Sequence, residues 1–139
     1  MKKVTLLGDS IRQIGYGTVV PAMLGDEYEV WQPEENCRFV KYTLRMLFDY
    51  REQIEGSDII HWNNGLWDIS TRLYGDGKVF TKEEEYVENM LRVATLLKKM
   101  GKRIIFATTT PVRLDNEYND NSVIDRYNEI IVPKLRSNR

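Results

Sequence analysis

Four short apolar runs, each closed by glycine, proline, asparagine or threonine, alternate along this chain with longer stretches whose apolar positions recur at helical spacing. Lys3 to Leu7 (KVTLL) ends at Gly8-Asp9, and short unbroken runs of this kind fit strands buried on both faces of a parallel sheet. Glu29 to Gln32 forms a second run stopped by Pro33. Asp58 to Trp62 (DIIHW) forms a third that opens into Asn63-Asn64-Gly65, and Arg103 to Thr108 (RIIFAT) a fourth that ends in Thr109-Thr110-Pro111. Between them, Thr18 to Leu24 predicts a short helix ended by Gly25. Phe39 to Ile54, with Val40, Leu44, Leu47, Phe48 and Ile54 at helical spacing, predicts a helix crossing one sheet face. Thr81 followed by Glu84 fits a capping box at the head of a long amphipathic helix that reaches Met100 and stops at Gly101. Asn121 to Val132 predicts a last helix, with Pro133 limiting its regular continuation.

Strands alternating with helices imply right-handed crossovers and a parallel sheet covered on both faces, so the expected class is α/β in one domain. Binding sites in such sheets lie beyond the carboxyl ends of the strands. Here those ends are Gly8 to Ile11, Pro33 to Arg38, Asn63 to Asp68 and Thr109 to Arg113. The excursion from Ile69 to Phe80, with Gly75-Asp76-Gly77, has the length of a functional or mobile loop.

Composition narrows the partners. Twenty basic residues against 21 acidic ones leave no field to draw the chain to nucleic acid or to an anionic membrane. No segment approaches the roughly 20 apolar residues of a bilayer span, and the run after Met1-Lys2-Lys3 is shorter than the roughly 7 to 15 residues of a signal peptide. The expectation is a soluble cytoplasmic protein. Cys37 stands alone, so it forms no internal disulfide and reads as a free, semi-buried thiol.

The chemistry concentrates at the strand ends. A serine in Gly8-Asp9-Ser10, directly after the first strand, can project its hydroxyl toward a bound ligand, although an isolated tripeptide of this kind is most often an ordinary capped turn. Three further elements change that balance. They are Pro33-x-x-Asn36-Cys37-Arg38 after the second run, Asn63-x-Gly65-x-x-Asp68 after the third, and Thr110-Pro111-Val112 after the fourth. With these blocks in this order the chain resembles the SGNH/GDSL hydrolase family along nearly its whole length.

The resemblance implies a flavodoxin-like, three-layer α/β/α fold and an acyl-serine ester hydrolase acting on small acyl esters or sugar esters, with no cofactor and no metal. It implies Ser10 as nucleophile and, through its N–H, as one oxyanion donor. The N–H of Cys37, nearest counterpart of the family's second-block glycine, is implied as another. The third block of the family reads Gly-x-Asn-Asp, whereas here Gly65-Leu66-Trp67-Asp68 puts Trp67 at the asparagine. Asn63 or Asn64 then ranks ahead of the Trp67 indole as the remaining donor. Asp9, Gly65 and Asp68 read as structural. Arg38, Trp67 and Arg113 are candidate substrate contacts, and Trp31, Trp62, Tyr74 and Phe80 add aromatic surface on which a sugar could stack.

The family's closing Asp-x-x-His block has no counterpart before Ser137-Asn138-Arg139, so the expected form is a domain shortened before its last strand and helix. His61, the only histidine, lies inside the third apolar run and reads as a packed, hydrogen-bonded core residue. A serine without a base is an ordinary alcohol. The expectation is therefore an ester hydrolase with little or no activity in this form. The rivals are a non-catalytic binding module and a chain completed by a partner, and homodimerisation through an exposed sheet edge is a further expectation.

Overall fold

The computed structural model describes residues 1–138. Strands β1 (Lys2–Leu7), β2 (Tyr28–Trp31), β3 (Ser57–Trp62) and β4 (Gly101–Phe106) form one parallel sheet in the order β2-β1-β3-β4. The helices are α1 (Val20–Leu24), α2 (Val40–Asp49), α3 (Arg51–Ile54), α4 (Leu66–Ile69), α5 (Glu83–Met100) and α6 (Asn121–Ser137). The alternation read from the sequence is thus an α/β fold. None of the described helices is long and apolar enough to cross a membrane.

Register decides which side chains meet. Leu7, Trp62 and Phe106 pair across β1, β3 and β4, and so do Leu6, His61 and Ile105 on the opposite face. Leu7, Ile60 and Trp62 belong to the main core with Met46 and Leu47 of α2, Met90, Val93 and Leu97 of α5, and Ile124 and Ile131 of α6. The other face is thinly covered. A π-helical turn over Ile11–Gly15 and a 3₁₀ turn over Tyr16–Thr18 lead into α1, and the Tyr16 ring meets the His61 ring edge-on at 5.3 Å. Ile105 stays 37% exposed there, so the third layer is incomplete over β4. Along the outer edge of β4 no described strand pairs, and a cavity of about 740 Å³ lies between that edge and α6, floored by Trp62, Ile104, Phe106, Val132 and Leu135.

Three local expectations change. The helix expected over 39–54 breaks at Tyr50, whose backbone leaves the helical region, into α2 and α3. α6 does not stop at Pro133 but runs through it to Ser137. A proline there forfeits one backbone hydrogen bond, yet Pro133 and Glu129 are exposed, so water can serve the freed carbonyl while Ile131, Val132 and Leu135 stay packed. The capping box at Thr81 does not form either. α5 starts at Glu83 after a Lys82 without a side-chain cap, and three glutamates in its first turn complement the helix dipole instead. Thr81 is used elsewhere, as described below.

Candidate active site

Four loops meet at the carboxyl end of β1, and each is fastened by a named bond. The Cys37 N–H donates to the Gly8 carbonyl at 3.0 Å, and the Gly8 N–H to the Cys37 sulfur at 3.2 Å, which joins the β1 and β2 ends. The Asp9 N–H donates to Asn63 Oδ1 at 3.2 Å, joining the β1 and β3 ends. Asn64 Nδ2 donates to the Arg38 carbonyl at 3.2 Å, and Thr109 Oγ1 donates to the Asn64 carbonyl at 3.3 Å. The last loop is clamped from α6 as well, where Asn128 exchanges two hydrogen bonds of 3.0 Å with the Thr109 backbone and Asn121 does the same for Val112.

The close approach of these loops requires two glycines. A side chain at Gly8 would meet Asn63 Nδ2 at 2.5 Å, and Gly65 has φ of +149° with Thr109 Oγ1 against it. Gly65 also starts α4, which carries Trp67 outward, 38% exposed, and Asp68 inward, fully buried.

Arg12, which drew no notice as sequence, lies under the site. Its guanidinium is buried and reaches the carbonyls of Pro33 (2.6 Å), Glu35 (2.7 Å) and Gly8 (3.1 Å), the Gln32 side chain (3.3 Å) and the Cys37 sulfur (3.7 Å). Among the described residues no carboxylate forms an ion pair with it. The charge is held by backbone dipoles, and the planar fork of an arginine can serve several of them at once. Gly17, with the Arg12 carbonyl and Gln32 against its Cα, lets this turn close.

Asp68 is the second buried tie. Its carboxylate accepts from the Val40 N–H at 3.1 Å and from Thr81 Oγ1 at 2.6 Å, so it holds the head of α2 and the segment before α5 together. Burial pushes its pKa up to about 7 against those hydrogen bonds, and the nearby Asp9 charge adds to the rise. Asp9 itself is raised by burial, opposed by the hydrogen bond its Oδ1 accepts from the Ile11 N–H at 3.0 Å.

Ser10 stands at the head of the π-helical turn, partly exposed, and its hydroxyl makes no hydrogen bond among the described residues. Beside it, Asp9, Ile11, Tyr16, His61, Asn63 and Leu66 line a cavity of about 410 Å³ closed by residues 107–110. Two of the oxyanion candidates make structural hydrogen bonds in this geometry. The Cys37 N–H is spent on Gly8, and the sulfur is buried, with its pKa raised by that burial. Asn64 is fully engaged: Nδ2 donates to Arg38 and to Thr43 Oγ1 (2.9 Å), and Oδ1 accepts from the Trp62 indole (2.6 Å). The left-handed backbone that favours glycine falls one residue after Cys37, at Arg38 with φ of +55°, a conformation that costs a non-glycine residue about 1 kcal/mol. Its N–H is also taken, by Asn36 Oδ1 at 2.7 Å.

Asn63 remains. Its Nδ2 donates to the Tyr16 hydroxyl at 2.6 Å, which leaves the Tyr16 proton and one amide proton unassigned. Burial lifts the Tyr16 pKa to about 12, so its hydroxyl stays a donor at neutral pH. Tyr16 belongs to none of the sequence blocks that mark the strand ends.

His61 departs from its expectation. It is half-buried rather than in the core, its buried Nδ1 has no partner among the described residues, and it faces the cavity on the thinly covered side of the sheet. Strand alternation explains this, because Ile60 and Trp62 take the core face. Desolvation lowers its pKa, so it is neutral, and it makes no hydrogen bond to Ser10. Arg113 is also displaced from its expected role. It pairs with Asp115 at 3.1 Å in the exposed 113–120 loop and borders a separate cavity of about 440 Å³. Arg38 is exposed, and its guanidinium lies 4.7 Å from the centre of the Tyr42 ring.

No protein-family model matches the chain, and no curated protein sequence matches it. Among solved structures it is similar to a variant of an acetyl xylan esterase from Geobacillus stearothermophilus, with a TM-score of 0.69 at 16% identity over 99% of this chain and 73% of that one. At that identity the likeness is one of fold: the two proteins share an α/β architecture.

Arg12→Met keeps the apolar stem and removes the fork, leaving several buried carbonyls unserved. It is expected to lower stability by about 3 kcal/mol or more in urea unfolding, and to expose Cys37 to thiol reagents under native conditions. Asp68 predicts a pH dependence. Because its folded pKa lies above the ordinary value of 3.8, the folded state holds the proton more tightly, and its contribution is full below about pH 4 and lost as pH rises toward 7. Asp68→Asn is expected to flatten that decline in urea midpoints between pH 4 and 7, with Asp9 supplying a residual slope of the same sign.

Proposed function

We propose that this chain carries the site of an SGNH/GDSL-type carboxylic ester hydrolase around Ser10, suited to small acyl esters or acetylated sugars, in which the serine is not activated. The observation that carries the reading is the combination of a gathered site and an unpartnered hydroxyl: loops from all four strand ends are tied to one another near Ser10, and among the described residues no imidazole hydrogen-bonds to it. A hydroxyl attacks an ester carbonyl at neutral pH only when a base about 2.6 to 3.2 Å away takes its proton. His61 is the chain's only histidine and makes no such bond. The fold likeness to an acetyl xylan esterase supports acetylated sugars as a substrate class.

The donors that face the cavity support the same picture. With Cys37 and Asn64 engaged in structural bonds, Asn63 and the Tyr16 hydroxyl it holds at 2.6 Å are donors on the cavity wall, which supports them as the oxyanion donors of this reading. A missing donor typically costs about 10²- to 10³-fold in turnover, and loss of the base costs more. The reduced donor set also favours a second reading, a non-catalytic module that binds esters in the same cavity. The unpaired outer edge of β4 is where a second copy of the chain would pair.

Hydrolysis of p-nitrophenyl acetate by the purified 139-residue chain, compared with its Ser10→Ala variant, tests the proposal. Equal rates close to the buffer background are expected. A rate well above background that Ser10→Ala abolishes would show an activated serine and contradict it.

A further inference from the structure

The cavity of about 740 Å³ between β4 and α6 has an open strand edge for one wall. The Ala107 N–H donates to the Trp62 carbonyl at 2.9 Å, and Ile105 lies opposite His61 in the parallel register. A parallel strand turns the N–H and carbonyl of successive residues to opposite sides, so Arg103 and Ile105 serve β3. Lys102, Ile104 and Phe106 turn theirs outward, and no described strand receives them. The floor beside that edge is apolar, built from Trp62, Ile104 and Phe106 of the sheet and from Val132 and Leu135 of α6.

The charge around the groove has one sign. Lys98, Lys102, Arg103 and Arg136 line it, and among its described lining residues none is acidic. The whole chain carries 20 basic against 21 acidic residues, so the bias belongs to this place and not to the composition. Lys102 pairs with Asp58 at 2.9 Å and Lys98 donates to the Asn138 carbonyl, and both lysines are exposed. The cations gather at the amino end of β4, whereas the apolar floor extends toward its carboxyl end. A second β4 would bring its own Lys102 and Arg103 to this basic edge, and lysine on an edge strand commonly opposes such self-pairing. An acidic segment meets no such repulsion.

We propose that the β4 edge binds an extended acidic segment of another protein as an added strand. The backbone of that segment pairs with Lys102, Ile104 and Phe106, its apolar side chains enter the groove, and its carboxylates meet the cations at the amino end of β4. Main-chain pairing supplies affinity in strand addition, while the groove and the charges select the side chains. The six residues of β4 extend about 20 Å, which sets a segment of similar length. Thr108 lines both this groove and the cavity beside Ser10, so a bound strand reaches the rim of the site.

The test uses a fluorescein-labelled nine-residue peptide, with two glutamates at each end and alternating valine and threonine between them, titrated into the intact chain and followed by anisotropy. Saturable binding that weakens as salt is raised is expected. Lys98→Glu, at an exposed position, is expected to weaken it tenfold or more. Lys102→Pro removes one outward N–H and spares the pairing with β3, so it is expected to weaken binding tenfold or more, and by more than Lys102→Gln, which removes the charge alone. Lys41→Glu, the same charge change on the exposed face of α2, is expected to leave it unchanged. No saturable binding overturns the proposal, as does equal affinity for the peptide with lysines in place of its glutamates. Binding that Lys98→Glu and Lys102→Pro both leave intact overturns it as well. A concentration-dependent dimer that Lys102→Pro abolishes, with no affinity for the peptide, gives the edge to a second copy and also overturns it.

Discussion

The site depends on a buried positive charge that, among the described residues, is held by backbone carbonyls and not by an ion pair, with the Asp9 carboxylate acting on it only at longer range. Arg12 sits two residues after the candidate nucleophile and binds the carbonyls of Gly8, Pro33 and Glu35 together with the Cys37 sulfur. Burying a guanidinium is costly, and the folded chain offsets that cost only because these acceptors lie where one planar fork can reach them. The arrangement fixes the β1 end against the loop after β2. From there Cys37, Gly8 and Asn63 form a nearly closed set of hydrogen bonds around the turn that presents Ser10.

This economy of polar groups accounts for what the site offers. A backbone N–H or amide used to hold two loops together is withdrawn from chemistry. Cys37 and Asn64 are both withdrawn in this way, whereas Asn63 keeps an amide proton and holds Tyr16 against the cavity. Asp68 works on a wider scale, since one buried acid joins α2, α4 and the approach to α5 and so sets the outer wall of the site. The rigidity comes from buried groups most of whose polar atoms are hydrogen-bonded, with Arg12 Nε and His61 Nδ1 the exceptions near the site. The partly exposed hydroxyl of Ser10 is outside that network.

Much of the fold was legible because it follows from periodicity and stop signals. The four apolar runs are the four strands, and Gly8, Pro33 and the Asn63-Asn64-Gly65 cluster mark strand ends that converge. Boundaries failed where tertiary contacts outweighed local chemistry. Thr81 had a capping partner in sequence but found a stronger acceptor in Asp68, and Pro133 was carried inside α6 by the packing of the residues around it. The site was legible as a place more than as a set of roles. Local sequence does not show that the Cys37 N–H points back at Gly8, that Arg38 takes the left-handed backbone, or that Arg12 is buried. His61 was misread for a related reason: an apolar strand does not reveal which of its faces a helix will cover.

On the proposed reading, Ser10 is positioned by a gathered site and yet stays an ordinary alcohol. The most direct measurement of this is the intact mass of the native chain after incubation at neutral pH with a fluorophosphonate, which modifies serines made nucleophilic by a neighbouring base. An unchanged mass is expected, and a single phosphonyl adduct mapping to Ser10 would show that the serine is activated.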